Sequence, residues 1–409
     1  MKIAVIGSGI SGLSSAYFLS KKFKVDLFEK DDHFGGHSFT YEIKENDKII
    51  PVDLGFIVFN ELTYPNLINF FKELKVPFEK SNMSFSVSVK NTNIEYSGNG
   101  FNGIFANKLN LFDLKFLNMI REIISFYKIA PTLLNKKYDS ETLGNFLIKQ
   151  KLSTYFIEYH LIPMVAAIWS VPFENAKKMP LNFFLNFFIN HGLFKLKNRP
   201  QWYTVTNRSR TYVKKILNKV SGEIFKNYKV NKIVRNDNNV RIMIGNEYLD
   251  YDQVVLASHA DQSLNLLDTP TEQEKNILGK FSYVPNKAIL HSDESLMPKR
   301  KKAWSSWNSV SDGKKTCITY WLNKLQNLKT DNNYFLTLNP IHRPNENLII
   351  KRINFTHPYL NSENIKLQKD LNIIQGKKRT WFCGSYFGYG FHEDGLISTI
   401  NMIKNFKNI

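Results

Sequence analysis

The chain has 409 residues, enough for more than one core, and its apolar fraction of 43% excludes a disordered polypeptide. No run approaches the roughly 20 apolar residues of a membrane-spanning helix, and two distant cysteines, Cys317 and Cys383, give no disulfide framework. The formal charge of +19 is spread widely and carries no nucleic-acid-binding motif, which leaves a Lys-rich composition or attraction to an anionic membrane as its meaning.

Lys2-Ile3-Ala4-Val5-Ile6 is a short β-rich run of the kind a buried parallel strand takes. It leaves no room ahead of it for a signal peptide, so the expected location is cytoplasmic, peripheral at the inner membrane face if the charge has that role. Helical spacing follows, with Leu13, Ala16 and Tyr17 on one face and an end near Lys21 and Lys22. Residues 24–29 then return as a second strand ending in Glu29. Between the first strand and the helix lies Gly7-Ser8-Gly9-Ile10-Ser11-Gly12, a G-x-G-x-x-G turn. Gly7 permits the tight turn, Gly9 admits a pyrophosphate to the backbone, and Gly12 lets helix pack on strand. The helix N-terminus offers free N–H groups to phosphates, and Glu29 stands where a carboxylate binds ribose hydroxyls. Taken alone the glycines are an ordinary turn; with both strands, the helix and Glu29 they predict a dinucleotide site.

Phe34-Gly35-Gly36-His37 follows, a turn or a second close approach of backbone to an extended cofactor. Pro51 to Val58 reads as a strand containing Gly55. Residues 65–74 have helical spacing, and the alternation of Phe85, Val87 and Val89 predicts a strand. Residues 100–200 read mainly as helices, 224–256 as β-rich, and 281–355 as strands that include Tyr320-Trp321 and residues 335–338. A strand over 380–383, a glycine-rich loop and a helix from about Gly395 complete the pattern. No internal repeat or low-complexity linker occurs.

The order G-S-G-I-S-G, Glu29, Gly35-Gly36, then Asp53-Leu54-Gly55 resembles the flavin-containing amine oxidase and phytoene desaturase superfamily. More closely, the chain is similar to a bacterial group described as NAD/FAD-binding proteins, related to a domain fused in front of plant cyclopropane fatty acid synthases. Strings carrying this likeness include Gly55-Phe56-Ile57-Val58-Phe59-Asn60, Met83-Ser84-Phe85-Ser86, Ala167-Ile168-Trp169-Ser170, Asn190-His191-Gly192-Leu193, Trp381-Phe382-Cys383-Gly384 and Gly390-Phe391-His392-Glu393-Asp394-Gly395. The resemblance implies FAD as cofactor and an α/β fold: a Rossmann-like, glutathione-reductase-type FAD-binding domain (1–80, 203–262 and 376–409) interleaved with an α+β substrate domain (81–202 and 263–375). It implies cofactor contacts from Gly7, Gly9, Ile10, Ser11, Gly12, Glu29, Lys30, Gly35, Gly36, His37, Gly55, Phe56 and Ile57. Val230 would meet the adenine, Gly384 and Ser385 the ribityl and diphosphate, and Gly395-Leu396 the flavin pyrimidine at a helix N-terminus. One departure stands out: Asn207-Arg208-Ser209 occupies a turn where the group carries Gly-Gly-Ser, and Arg tolerates left-handed geometry poorly.

The expected function is oxidation or desaturation of an apolar, fatty-acyl or lipid substrate by hydride transfer to flavin N5. A redox-neutral double-bond isomerase, an amine oxidase and a non-enzymatic lipid carrier of the same fold are the alternatives. His392 and Tyr389, just before the flavin-facing helix, either contact flavin or substrate or brace the turn. His191 either lines a pocket or caps a helix. Trp169, Trp304, Trp307 and Trp321 either wall a cavity or pack a core, and Lys287 is a weak match to the amine oxidases' flavin-facing lysine. Cys383, inside a strand, reads as a structural thiol, and no metal motif occurs; His392-Glu393-Asp394 lacks a second His at helical spacing. The apolar stretches 112–127 and 181–196, interrupted by Lys, are either core or interfacial helices resting on an anionic membrane. Nothing in the sequence indicates an oligomeric state.

Overall fold

Five short strands make one parallel sheet: β1 (Lys2–Ile6), β2 (Lys24–Glu29), β3 (Ile224–Lys226), β4 (Gln253–Leu256) and β5 (Thr380–Phe382), in the spatial order β3-β2-β1-β4-β5. The computed structural model describes residues 1–134, 138, 141–169, 171–312 and 316–406. Alternation along the strands divides the apolar side chains between two cores. Ile3, Val5, Val25, Leu27, Val255 and Trp381 face one side, while Ala4, Ile6, Phe28, Val254, Leu256 and Phe382 face the other. That two-sided burial is why these runs are continuously apolar rather than alternating. The fold is mixed α/β with a Rossmann-like parallel sheet.

On the first face lie three helices, α1 (Ile10–Ser20), α2 (Arg210–Leu217) and α3 (His392–Phe406), which bury Leu13, Ala16, Tyr212, Ile216, Leu396 and Met402. The other face is covered by an antiparallel three-stranded sheet, Lys232–Arg235, Val240–Ile244 and Glu247–Tyr251. A second, seven-stranded sheet runs in the order Ile349–Tyr359, Ser282–His291, Phe335–Leu338, Thr316–Trp321, Trp307–Ser311, Phe85–Val89 and Glu95–Ser97. All its pairs are antiparallel except Phe85–Val89 against Trp307–Ser311. Its Val87, Val89 and Tyr96 pack under helices from residues 100–194.

Several expectations need adjustment. The last helix begins at His392, three residues before Gly395, so Gly395 closes its first turn and Leu396 opens the second. The helix Leu181–Asn190 is core, with Leu181, Phe183, Phe184, Leu185, Phe187 and Phe188 all buried; an apolar surface on most sides suits enclosure, not an interface. The helix Leu114–Leu133 likewise turns Phe116, Met119, Ile123, Phe126 and Tyr127 inward, yet Phe112 and Leu114 at its start stay exposed. Ser170 lies outside the described residues. The Asn207-Arg208 turn does adopt left-handed geometry, with φ of 60° and 78°. Arg208 is held there by donating from Nε to the Pro51 carbonyl at 2.8 Å and from Nη2 to the Gln326 carbonyl at 2.9 Å. Among the described residues, no helix is long and apolar enough to cross a membrane.

Candidate cofactor and substrate site

The first glycine loop leaves β1 at its C-terminal end and enters α1. Gly7 has φ 97°, and a Cβ at Gly12 would lie 1.8 Å from the Gly7 carbonyl oxygen, so both positions need glycine for the fold itself. Gly9 differs. It caps α1 with φ −62° and ψ 180°, which any residue adopts, no side chain caps the helix there, and a Cβ at Gly9 would meet nothing within 4 Å. The first N–H groups of α1 have no partner within the helix and face this open corner.

Glu29 at the end of β2 ties this loop to the second glycine pair. Its Oε2 accepts from the Ser8 amide (3.0 Å) and Ser8 Oγ (2.5 Å), its Oε1 accepts from the Asp31 amide (3.0 Å), and Ser8 Oγ in turn accepts from the Gly35 amide (3.1 Å). Gly36 then packs so close that its Cβ would sit 3.2 Å from Gly9 Cα. Ser8 is thus the hinge between the two loops, and sequence reasoning passed over it because x positions of G-x-G-x-x-G carry no signal. Lys30 is exposed and pairs with Asp31 (2.9 Å). Tyr228, two residues before the buried Val230, donates its amide to the Glu29 carbonyl (2.8 Å), which brings Val230 to the same edge.

The remaining cofactor candidates come together around these loops. Phe56 donates its amide to the His37 carbonyl at 2.7 Å, and a Cβ at Gly55 would lie 2.1 Å from that oxygen. Ile57 is buried, its carbonyl accepting from Thr204 Oγ1 at 2.9 Å. From α3, the Gly395 carbonyl accepts from Ser11 Oγ at 3.0 Å, and its missing Cβ would lie 2.9 Å from Ile10 Cγ2 and 3.8 Å from the Ser385 amide nitrogen. Gly384, just before, donates its amide to Ser398 Oγ (2.9 Å), and Leu396 is buried beneath. Glycine lets α3 approach α1 at this point.

The run His392-Glu393-Asp394 divides its labour. Glu393 takes the amides of Asn66 and Leu67, both at 2.9 Å, and so caps the helix Pro65–Glu73. Asp394 accepts from the Phe391 amide (2.9 Å) and braces the glycine loop; burial raises its carboxyl to about 6. His392 alone turns toward the site. Its ring stacks on Phe56 at 3.8 Å, and its Nε2 lies 3.0 Å from Ser38 Oγ and 3.3 Å from the Tyr212 hydroxyl, which are hydrogen-bonded to each other. Burial, then repulsion from His37, lowers His392 to about 3, so the imidazole is neutral at physiological pH.

His37 has an enclosed Nε2 with no hydrogen-bond partner among the described residues, and its ring lies 5.0 Å from Phe355 and 5.2 Å from His357. Burial and then His33 lower it to about 4. His259, at the C-terminal end of β4, stacks on Tyr283 at 4.0 Å and is likewise lowered to about 4. The sequence could have yielded His259, because residues just past the carboxyl ends of parallel strands border the ligand crevice. His357 comes from Ile349–Tyr359 and is placed by its strand pairing with Val284, with Asn286 Nδ2 2.8 Å from its Nδ1.

An aromatic wall adjoins His392. Tyr389 packs 4.8 Å from Phe183 and 5.5 Å from Phe187, Phe391 stacks on Phe187 at 5.2 Å, and Trp169 lies 4.5 Å from Phe187. His191 stacks on the same ring at 3.7 Å but spends its Nδ1 on the Phe187 carbonyl (2.9 Å), in the capping position of its own helix. Trp304, Trp307 and Trp321 pack elsewhere, against one another, Phe335 and Tyr320. Cys383 is enclosed beside Ser15 and Thr399, its thiol pushed up to about 11 by burial. Lys287 is exposed on Ser282–His291. Among the described residues, no cluster of His, Cys, Asp and Glu could hold a metal.

Comparison with known proteins supports this architecture. A family model described as an NAD(P)-binding Rossmann-like domain matches residues 5–74. Prenylcysteine oxidase 1 of Rattus norvegicus is 46% identical over 50 residues, which span 11% of this chain and only 10% of that protein. Among solved structures, a CLA-producing fatty acid isomerase from P. acnes superposes with a TM-score of 0.69 at 14% identity, over 99% of this chain and 98% of that one. Putrescine oxidase bound to putrescine gives 0.69 at 13% identity, covering 100% of both chains. Cyclohexylamine oxidase from Brevibacterium oxydans gives 0.66 at 12% identity, covering 99% of both. The likeness extends over the whole fold.

Proposed function

We propose that the chain is an FAD-dependent oxidoreductase that oxidises or desaturates an apolar, fatty-acyl-like substrate. One observation carries the cofactor assignment: Gly9 has neither a backbone conformation nor a neighbour that requires glycine, yet it stands uncapped at the N-terminus of α1. What needs the space is a group from outside the chain, and aligned N–H dipoles select an anion such as a diphosphate. Gly7, Gly9, Ile10, Ser11 and Gly12 hold that diphosphate with Gly35, Gly36 and the unpartnered Nε2 of His37. Glu29 takes the ribose, Val230 borders the adenine, and Gly55 to Ile57, Gly384, Ser385, Gly395 and Leu396 surround the flavin end. Lys30 contributes charge at the rim. Bound FAD supplies a hydride acceptor.

Residues 1–80, 203–262 and 376–409 hold the cofactor in this reading, and 81–202 with 263–375 shape the substrate space. The wall of Trp169, Phe183, Phe187, Tyr389 and Phe391 is apolar, which favours a hydrocarbon chain over a charged amine. The solvent-exposed Lys287 weighs against amine oxidase chemistry. The resemblance to the group related to plant cyclopropane fatty acid synthases points the same way, and the prenylcysteine oxidase and fatty acid isomerase likenesses accord with a lipid-like substrate. His392, neutral and held by Ser38 and Tyr212, would orient the substrate chain and take up the proton released as the hydride leaves, the two hydroxyls fixing its ring. Tyr389 orients the chain from the wall, and His191 supports it through Phe187.

The fatty acid isomerase of matching fold favours a second reading, redox-neutral double-bond migration. Anaerobic incubation with unsaturated and methyl-branched fatty acids separates the two. Stoichiometric bleaching of the flavin absorbance supports oxidation, whereas an altered double bond without net bleaching identifies isomerisation, and neither change with any acyl substrate defeats both. His392→Ala should lower turnover by about 10²-fold or more, the usual contribution of a positioned proton-transfer group, while flavin content is unchanged. Unaltered turnover would reduce His392 to a brace of the glycine loop.

A further inference from the structure

The start of the helix Leu114–Leu133 and the turns before it present apolar side chains that no described residue covers. Phe112 is 85% exposed, Leu114 80%, Phe101 67% and Leu109 60%. All come from one short stretch that includes the turns Gly100–Ile104 and Lys108–Leu111. Exposed apolar residues scattered singly need no explanation, but large ones concentrated within a few turns mark an interaction surface. The inward face of the same helix is fully packed, so these residues are not the loose edge of a core.

The rim of this patch is basic. An open basin of about 510 Å³ lies beside Leu109, bordered by Lys108, Arg300, Lys301 and Lys302. Arg300 is paired with the buried Glu95, and Lys301 lies 3.3 Å from Glu294. Among the described residues, Lys108, Lys115 and Lys302 make no ion pair, and all three are exposed. The acidic side chain within the stretch, Asp113, spends its carboxylate capping the helix. A second copy of the chain docked face to face would oppose these lysines to one another, which disfavours self-association.

We infer that Phe101, Leu109, Phe112 and Leu114 insert into the interface of an anionic phospholipid bilayer while Lys108, Lys115 and Lys302 meet the headgroup phosphates. Apolar prongs ringed by cations suit the boundary between acyl chains and negative headgroups, where each element has a matching layer. The inference stands apart from the redox reading, since it uses none of the cofactor or substrate residues.

Vesicle flotation of the purified full-length protein tests it, with phosphatidylcholine vesicles set against mixed phosphatidylcholine–phosphatidylglycerol vesicles. The protein should float with the phosphatidylglycerol vesicles, less so as salt screens the lysines, and weakly with phosphatidylcholine alone. The double variant Phe112→Asp with Leu114→Asp should lower the partition coefficient at least ~10-fold, about what burial of one such side chain contributes. Lys108→Glu with Lys302→Glu should lower it by at least ~30-fold in the anionic vesicles only, since each lysine near the surface contributes about 1 kcal/mol. These side chains are exposed, so thermal melting should be unchanged in both variants. A wild type that stays in the aqueous fraction, variants that float equally well, or a dimer dissociated by the Asp variants would each overturn the assignment. Flavin absorbance in the same fractions reports the cofactor separately. A colourless protein that floats refutes the oxidoreductase reading alone, and a yellow one that does not float refutes the membrane surface alone.

Discussion

Gly9→Glu should yield a folded, colourless protein. At φ −62° and with no atom within 4 Å of a Cβ, the position accepts a side chain without strain or clash. A carboxylate at a helix N-terminus is, if anything, mildly stabilising there. The melting temperature should therefore stay near that of the flavin-free wild type, within about ±0.5 kcal/mol of stability, once the stabilisation that bound flavin adds to the wild type is removed. The same carboxylate occupies the place of the diphosphate and repels it, so FAD affinity should fall by about 10³-fold or more, equivalent to roughly 4 kcal/mol. Gly12→Ala supplies the contrast. Its Cβ would lie 1.8 Å from the Gly7 carbonyl oxygen, so helix and strand must separate and the fold itself suffers. Fluorescence titration with FAD and a thermal melt of each variant distinguish the two defects. Full flavin retention by Gly9→Glu, or a wild type that never binds flavin, would remove the basis of the cofactor assignment.

Mild acid should destabilise the protein steeply. Eight of its nine histidines are driven below their ordinary value, chiefly by burial: His37, His191, His259 and His291 to about 4, His160, His357 and His392 to about 3, and His342 in the same direction. The unfolded chain protonates these groups near pH 6.5, and the folded chain does so only well below it. Between about pH 6.5 and pH 4 the unfolded state therefore binds more protons, and stability falls as pH falls; above that window the histidines contribute no slope. Asp53 and Asp394, raised to about 6 by burial, act in the opposite sense between their folded and unfolded values and offset part of the loss. Each unopposed histidine contributes up to about 1.4 kcal/mol per pH unit. Even after discounting the partly accessible members of the set, several kcal/mol should be lost on going from about pH 7 to about pH 5, a large share of the usual 5–15 kcal/mol. Thermal unfolding followed by near-ultraviolet circular dichroism across that range measures it, and a flat profile would mean that the imidazoles are better solvated than their surroundings indicate.

The parts of the molecule visible in the sequence are those encoded within a few dozen residues. β1, the first glycine loop, α1 and β2 are contiguous, and the two-faced burial of β1 makes its apolar run continuous. The helical character of residues 100–200 was equally plain, but periodicity could not say which apolar faces were enclosed, since the helix Leu181–Asn190 and the exposed Phe112 and Leu114 look alike as composition. The Ser38, Tyr212 and His392 cluster was hidden for a different reason. Its members are separated by 174 and 180 positions and meet only through the packing of α2 and α3. His357 depends in the same way on a strand register set from Ser282 onward. Glu393 and Asp394 are braces, because a carboxylate beside free amides serves a helix end or a turn.

The parallel sheet is assembled from strands produced far apart in time. β4 is made long before β5, and at ~5–20 residues per second the ribosome leaves the Val254–Leu256 edge bare for on the order of ten seconds. A nascent polypeptide in that interval already holds both glycine loops but lacks α3, whose Gly395 and Thr399 contact Ser11. The contacts by which α3 closes over the start of α1 therefore form only after translation has passed α3. Meanwhile an unpaired apolar edge is displayed, a hazard that chaperones shield and that slow or interrupted translation prolongs.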